Sequence, residues 1–405
     1  MCEFAYEVRR EWPEAWNLLP LLQRSANLLE PEPQRFLHAS LEVRMTTDRG
    51  RGVFTTAALS KGTLLLLDAP LHVAASYEEL VRDVVKKCAD DASFAKALSS
   101  MHGAPRDSNA TQTAADNGEV TQTTAEGREV RLTAAAARSV IQHNHHAVES
   151  PPVDGELLED PPMLGLWPLA SLINSSLRPN VTRTFAGHTA CYRLIRDVGK
   201  DEEILDNYLD LRLPHKLREE LLRKNHAMQD EGPDACDAPP DMVKRVQEEY
   251  AKAVQLLRKD TATATQEALL LLADLTNQCS EVPDPAFHDI FRDFAMAAGK
   301  LGNASMCIEG LAMALELATQ REPYSLLSSI LTLRMLHMAC LAPTEVDART
   351  RTSLLKLARE HFRIVYGDIA GAMEALNPGL FKELEAVNSS TEDDKVAKQS
   401  AAADD

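Results

Sequence analysis

Two glycines near the start of this 405-residue chain could bring backbone close to a small ligand. They lie in the stretch Arg49-Gly50-Arg51-Gly52, just before an apolar run. Because glycine has no side chain beyond hydrogen, its backbone can approach a bound molecule closely. Taken alone, the stretch is more simply a turn that leads into a β-hairpin. It becomes a candidate ligand loop only when two further stretches are considered with it.

The second stretch, NSSLRPN at 174–180, follows an apolar element that ends at Ile173. Asn and Ser side chains hydrogen-bond nearby backbone, and the residue before a proline is disfavoured in a helix, so this is an irregular connection. The third stretch is a turn at 199–201 that leads into the acidic residues 201–203, with Tyr208 shortly after. In isolation, Tyr208 is simply an aromatic residue that packs at a strand end.

The order and spacing of these stretches resemble the SET domain of protein lysine methyltransferases, specifically the SET-and-MYND (SMYD) family. That family has a Gly-x-Gly turn, an Asn near the end of an insertion, an Asn-His-Ser-Cys-x-Pro-Asn segment and a Gly-Glu-Glu-Ile-x-x-x-Tyr turn. The matching positions here are Arg49-Gly50-Arg51-Gly52, Asn144, Asn174 to Asn180, and Asp201-Glu202-Glu203-Ile204 with Tyr208. Each match is weak alone, whereas their order together is specific.

The resemblance implies a protein-lysine N-methyltransferase that uses S-adenosylmethionine, with Tyr208 supplying a hydroxyl at the reacting centre. The residues that it implies for cofactor binding are Arg49, Gly50, Arg51, Gly52, Asn144, Asn174 and Ser175. Pro179 and Asn180 are implied to lock the Asn-containing segment in place. Ser175 replaces the family's His and Leu177 its Cys. These departures leave a second hypothesis open, a catalytically inactive SET fold that binds peptides or acts as a scaffold through a helical domain.

Metal binding is not expected from the sequence. The zinc finger of the SMYD family has no counterpart, because residues 72–140 contain no Cys and His cluster with ligand spacing. Of the cysteines that hold zinc after the family's SET domain, only Cys236 corresponds. The histidines of the HNHH stretch, 143, 145 and 146, would point to different faces of a strand or helix. The sequence therefore predicts neither zinc nor another metal.

The composition limits the class of partner. A formal net charge of −18 disfavours direct nucleic-acid binding and favours a basic, Lys-containing protein or peptide. The seven cysteines are scattered, which is typical of free thiols in a reducing compartment. No run of about 18 apolar residues predicts a membrane span. We therefore expect a monomer without a membrane segment in the cytoplasm, the nucleus or both.

The elements around these stretches predict an α+β protein, an insertion-split β-rich SET domain with a C-terminal all-helical, tetratricopeptide-like domain. Short apolar runs between Gly, Pro and Asp predict strands over 41–213, interrupted by a variable insertion at about 76–140 whose polar part, 104–137, is predicted to be disordered. Apolar residues at helical spacing follow Pro240. The predicted helices there are 261–279, 284–300, 303–320, 325–341 and 349–376. The remaining predicted parts are a helical extension at 1–40, a linker without zinc cysteines at 214–239, a helical domain at 240–386 and a disordered tail at 387–405.

Overall fold

Strands dominate the first half of the chain and helices the second, as a computed structural model shows. The structure describes residues 35–46, 50–101, 120–123, 129–132, 134–148, 163–210, 212–223, 237–282, 284–368 and 371–387. These residues form two compact units, the first made of 35–148, 163–208 and 219–223, the second of 209–218 and 237–387. The predicted α+β class, with sheets first and an all-helical region after them, is confirmed.

The strands of the first unit are short because turn-forming residues interrupt the apolar runs. They are β1 Phe36–Leu37, β2 Leu41–Met45, β3 Arg51–Thr55, β4 Leu64–Asp68, β5 His72–Ala74, β6 Val120–Thr123, β7 Glu129–Leu132, β8 His145–Ala147, β9 Leu164–Leu166, β10 Asn174–Ser175, β11 Val181–Ala186, β12 Thr189–Leu194 and β13 Glu203–Asp206. Gly187 has a φ of 56° in the tight turn between β11 and β12, a conformation that glycine adopts without strain. Phe36 and Leu37, assigned from the sequence to a helical extension, instead form a strand, and 1–34 lie outside the described residues.

Three sheets and one hairpin organise these strands. The sheet orders are β1-β4-β12-β11, β10-β13-β3-β2 and β5-β9-β8, and β6 pairs with β7. The β10–β13 pair is parallel, with Asn174 opposite Leu205 and Ser175 opposite Asp206. Trp167 is fully buried in the core between the sheets, and its indole N–H donates to the carbonyl of His188 at 2.9 Å. This core thus supports one face of the short β10–β13 pair.

The insertion carries its own small core. Its helices are Tyr77–Asp90, Ala92–Ser99 and Ala134–Asn144. Ser76 caps the start of the first helix, because its side chain accepts from the Glu79 N–H, and the buried face of this helix meets that of the third helix. The prediction of disorder at 104–137 is wrong for the β6–β7 hairpin and for the start of the third helix. The alanines at 134–137 favour helix, and tertiary packing onto the insertion helices stabilises it.

The second unit contains helices that pack in sequence order. They are Pro240–Leu257, Ala262–Cys279, His288–Lys300, Ala304–Thr319, Leu326–Leu341, Ala348–Tyr366 and Ala372–Leu376, with a further one at 378–387. The residues of a short preceding helix, His215–Leu221, divide between the two units. Thr261, Asn303, Ser325 and Asp347 cap helix starts with their side chains. The single segment predicted at 349–376 is wrong, because Gly367 with a φ of 95° ends the helix after Tyr366.

None of the helices in the described part of the chain combines the length and the apolar character needed to cross a membrane.

Candidate functional site

Strands β3, β10 and β13 bring the three sequence stretches together in one sheet. Strand β3 pairs antiparallel with β13, so that Phe54 lies opposite Glu203 and Val53 opposite Ile204. On its other side, β13 pairs with β10, which holds Asn174 and Ser175. Residues about 120 positions apart in the chain therefore become neighbours at one edge of this sheet.

Gly50, just before β3, and Gly52, within β3, are required to be glycine for different structural reasons. Gly50 has a φ of 76°, and an added Cβ would meet no heavy atom within 4 Å. Gly52 lies against its neighbours, because an added Cβ would overlap the Glu203 carboxylate and would lie 3.0 Å from the Asn174 side-chain nitrogen. Open space beside Gly50 and close packing at Gly52 give this turn the shape of a cradle. Arg49 lies outside the described residues.

Arg51 contributes its backbone to this cluster. Its carbonyl accepts a hydrogen bond from Asn174, whereas its guanidinium donates to the carbonyl of Ser100. The side chain thus ties β3 to the end of the insertion helix Ala92–Ser99. A role of Arg51 in ligand binding would therefore use its backbone.

The Asn174 side chain is fixed by two acceptors. Its amide nitrogen donates to the Arg51 carbonyl at 3.0 Å and to Glu203 Oε1 at 2.7 Å. Because both partners are acceptors, the orientation of the amide is unambiguous. Its carbonyl oxygen Oδ1 accepts no hydrogen bond from any described residue. Asn174 therefore presents an acceptor for a donor on a ligand, such as an ammonium group.

Glu203 is a member of this cluster that the sequence did not single out as a site residue. It begins β13, and its carboxylate lies against both Gly52 and Asn174. The sequence contained a signal, since strand alternation places its side chain on the opposite face from that of buried Ile204. A carboxylate here adds negative charge next to Oδ1 of Asn174, which again favours a cationic ligand group.

Tyr208 is held at both of its ends by the residues on either side of Asn174. Its hydroxyl donates to the carbonyl of Ile173 at 2.7 Å, and its backbone N–H donates to Ser175 Oγ at 3.2 Å. The side chain is half-buried. Because the hydroxyl proton is directed to Ile173, the lone pairs of the tyrosine oxygen are oriented away from that carbonyl.

Asn180 locks the 174–180 segment against β13. It is fully buried, its amide nitrogen donates to the Glu203 carbonyl at 2.7 Å, and its Oδ1 accepts from the Leu205 N–H at 2.8 Å. Its backbone N–H also donates to the Leu205 carbonyl at 3.0 Å. Pro179 is buried beside it. The side chain of Asn180 thereby replaces the backbone pairing that strand β10 is too short to provide.

The two departures from the family pattern are accommodated in different ways. Leu177 is buried where the family has a Cys. Ser175 is 8% exposed, and its hydroxyl makes the contact with Tyr208 just described. The segment therefore keeps its position although both side chains differ from the pattern.

An ion pair that the sequence prediction missed joins β11 to β13. Arg183 in β11 pairs with Asp206 in β13, whose side chain is 3% exposed. Burial raises the pKa of the Asp206 carboxyl, and the nearby Arg183 opposes that change. Burial raises the pKa of the neighbouring Tyr192 hydroxyl, and the charge of Asp206 raises it further. The sequence contained a signal for this ion pair, because the alternation of side chains along β11 puts Arg183 on the same face as buried Val181 and Phe185.

Asn144 and the adjacent histidines sit at the junction of a helix and β8. Asn144 is buried, and its amide nitrogen donates to the Val140 carbonyl at 2.6 Å. His143 and His145 each bring a ring nitrogen to the helix carbonyl four residues earlier. No group of three or more His, Cys, Asp or Glu side chains suited to a metal ion occurs among the described residues, which do not include Cys236. That Asn144 joins Asn174 in one ligand site stays a prediction.

Comparison with known proteins supports the resemblance to SET domains. No curated protein matches this chain. Residues 50–209, which include every strand and side chain of the β3–β10–β13 cluster, match the family model described as the SET domain. The chain therefore contains a SET domain, at residues 50–209.

Proposed function

We propose that the protein is an S-adenosylmethionine-dependent protein-lysine N-methyltransferase. SET domains are generally protein lysine methyltransferases, and the match at 50–209 supports this activity. The observation that carries the proposal is the placement of Tyr208, whose hydroxyl and backbone both bond to the residues flanking Asn174. The candidate ligand acceptor, Asn174, and the candidate catalytic residue, Tyr208, are thereby both anchored to the short segment 173–175.

The residues of the cluster fit the cofactor. Its methionine portion carries an ammonium group, which suits Asn174 Oδ1 and the adjacent Glu203 carboxylate. The turn at Gly50 offers backbone with open space, as a closely approaching ligand requires. When bound, S-adenosylmethionine supplies a methyl group made electrophilic by its positively charged sulfur.

The contribution of Tyr208 is electrostatic and positional. Its hydroxyl proton is directed to Ile173 O, so its oxygen offers lone pairs to positively polarised hydrogens. The Ile173 carbonyl oxygen lies next to it and adds a second partial negative charge. Oxygen atoms fixed in advance stabilise developing positive charge without reorganisation, and orienting an acceptor amine lowers the entropic barrier.

A lysine substrate must lose a proton before it can act as a nucleophile. The ordinary pKa of lysine is about 10.4, so the amine is almost entirely protonated at neutral pH. A partly desolvated channel lowers the pKa of an amine, because burial disfavours its charged form. The half-buried setting of Tyr208 is consistent with such a channel. The turnover rate should therefore increase as the pH is raised above 7.

The substrate that we propose is a basic, Lys-containing protein segment. The net charge of −18 creates a negative potential that speeds association with basic peptides. The rate at which such a segment associates with the protein should decrease as salt is added.

The alternative function is a catalytically inactive SET domain that binds peptides. The replacement of the family's His and Cys by Ser175 and Leu177 favours it, because the fold alone does not imply the activity when site residues differ. The retained contacts of Asn174, Asn180 and Tyr208 favour the enzyme, because they hold the candidate ligand acceptor and the candidate catalytic residue on one fixed segment.

Calorimetric titration with S-adenosylmethionine and transfer of tritiated methyl groups to a panel of Lys-rich peptides test the proposal. We expect cofactor binding and methyl transfer by the wild-type protein. Tyr208→Phe should lower turnover about a hundredfold and change cofactor affinity less than twofold. The matched control is Tyr324→Phe, which removes a tyrosine hydroxyl bonded to Glu360 in the helical unit and should leave turnover unchanged. Absence of S-adenosylmethionine binding at millimolar concentration would refute the proposed methyltransferase activity. Cofactor binding without methyl transfer would favour the peptide-binding alternative.

A further inference from the structure

Ser175 stands where the resembling family has a histidine, and its hydroxyl contacts the backbone of the candidate catalytic tyrosine. We infer that Ser175 is a positioning residue that sets the orientation of Tyr208 for methyl transfer. This inference rests on the proposed function, since it concerns the same site.

The side chains of Asn174 and Ser175 serve two different neighbours. Successive residues of a strand point to opposite faces. The Asn174 side chain reaches Arg51 O and Glu203 on one side, whereas the Ser175 hydroxyl receives the Tyr208 N–H on the other. One short strand thus connects the candidate cofactor contact to the candidate catalytic residue.

Two hydrogen bonds hold Tyr208 at its two ends. The bond from its hydroxyl to Ile173 O fixes the far end of the side chain, and the bond from its backbone N–H to Ser175 Oγ fixes the near end. If the near end moves, the hydroxyl must either pivot around Ile173 O or lose that bond. A displacement of about 1 Å of a catalytic group can lower a rate by about a hundredfold.

The surroundings of Ser175 hold its hydroxyl in place. Ser175 pairs with Asp206 in the parallel β10–β13 ladder, and the next N–H, that of Ser176, donates to the Asp206 carbonyl at 2.8 Å. Asp206 is itself fixed by its buried ion pair with Arg183. Because Ser175 is only 8% exposed, bulk water has little access to replace its hydroxyl as the acceptor for Tyr208.

The inference predicts a specific pattern of kinetic changes. Ser175→Ala removes the acceptor, so we expect kcat to fall about tenfold, since a lost hydrogen bond of ordinary strength corresponds to about that factor. Affinity for S-adenosylmethionine should change less than twofold, because Asn174 and Glu203 keep their contacts and the resemblance implies a cofactor contact of Ser175 through its backbone, which the substitution retains. Ser175→Thr retains an oxygen at the same position and should restore most of kcat.

Two further comparisons separate positioning from general support of the fold. Ser171→Ala, the matched control, removes a hydroxyl that donates to Pro168 O at 2.8 Å in the preceding turn, and it should leave kcat unchanged. In a Tyr208→Phe background, Ser175→Ala should lower the residual rate less than twofold, because the hydroxyl that it positions is already absent. Amide hydrogen exchange measured by NMR should be faster at Tyr208 in Ser175→Ala than in the wild type and in Ser175→Thr.

The outcomes distinguish failure of the inference from failure of the proposed function. If the wild-type protein methylates no peptide of the panel, the proposed function fails, and the positioning role of Ser175 is rejected with it. If the wild type is active and Ser175→Ala matches it in kcat, the inference alone is overturned. Equal reductions in the wild-type and Tyr208→Phe backgrounds would also overturn it, because they would show a structural effect that does not act through the tyrosine hydroxyl.

Discussion

The side-chain amide of Asn174 donates to Glu203 Oε1 at 2.7 Å, and Gly52 lies against both residues. This contact joins the ends of three strands that are distant in the sequence. It also explains the second glycine of the RGRG stretch, which is needed because no side chain fits between β3 and this pair. The site therefore has a steric requirement as well as a chemical one.

Gly52→Ala should lower affinity for S-adenosylmethionine at least tenfold. The new Cβ would overlap the Glu203 carboxylate and approach the Asn174 amide nitrogen to 3.0 Å, so one of the two side chains must leave its position. Isothermal titration calorimetry measures the change. Gly187→Ala is the control, because it introduces strain at a φ of 56° with no steric overlap. It should destabilise the fold by about 1 kcal/mol and leave cofactor affinity unchanged. Unaltered affinity in Gly52→Ala would contradict a cofactor site at this cradle.

Asn180→Ala should be among the most destabilising single substitutions in the SET domain. It leaves the buried N–H of Leu205 and the carbonyl of Glu203 without their side-chain partner, which costs about 2–5 kcal/mol for two groups. Urea unfolding followed by circular dichroism gives this difference. Asn303→Ala, which removes a helix cap in the other unit, should cost only about 1 kcal/mol. A similarly small effect at Asn180 would show that water replaces its bonds.

Asp68 should produce a pH-dependent contribution to stability. It is fully buried, accepts from the N–H groups of Leu169 and Ala170 and pairs with Arg35, yet burial raises its pKa to about 6. Its pKa in the unfolded chain is about 3.9, so between these values the folded state binds more protons. The free energy of unfolding contributed by Asp68 therefore increases as the pH falls from about 6 to about 4, by up to about 3 kcal/mol.

Urea unfolding of the wild type and of Asp68→Asn at several pH values between 4 and 7.5 isolates this contribution. Asn cannot titrate, so the stability difference between the two proteins should shift in favour of the wild type as the pH falls. A difference that is constant over this range would mean that the Arg35 pair and the two N–H groups hold the carboxyl at its ordinary pKa.

The sequence predicted the separate stretches better than their contacts. The α+β class and the helices after Pro240 followed from local spacing, because apolar periodicity reflects the buried face of each element. The pairing of β10 with β13 could not be derived in the same way, since it joins residues about 30 positions apart through a strand of two residues. The role of Ser175 was missed for this reason, as its hydroxyl contacts Tyr208 only in the assembled sheet. Only the resemblance to a family brought the stretches together in advance.

The Arg183–Asp206 ion pair should stabilise the SET domain in a pH-dependent manner. Arg183→Met keeps the length of the side chain but leaves the Asp206 carboxylate buried without its cation, which should destabilise the fold by about 3–5 kcal/mol near neutral pH. Because burial already raises the pKa of Asp206, loss of Arg183 should raise it further, and the carboxyl then becomes neutral as the pH falls through this raised value. The difference in unfolding free energy between the wild type and Arg183→Met should therefore narrow as the pH is lowered from 8 to 5.

The double variant Arg183→Met with Asp206→Asn, which has no buried charge, should recover part of the stability and show no such narrowing. A difference that stays constant with pH would assign the contribution of Arg183 to packing of its alkyl chain.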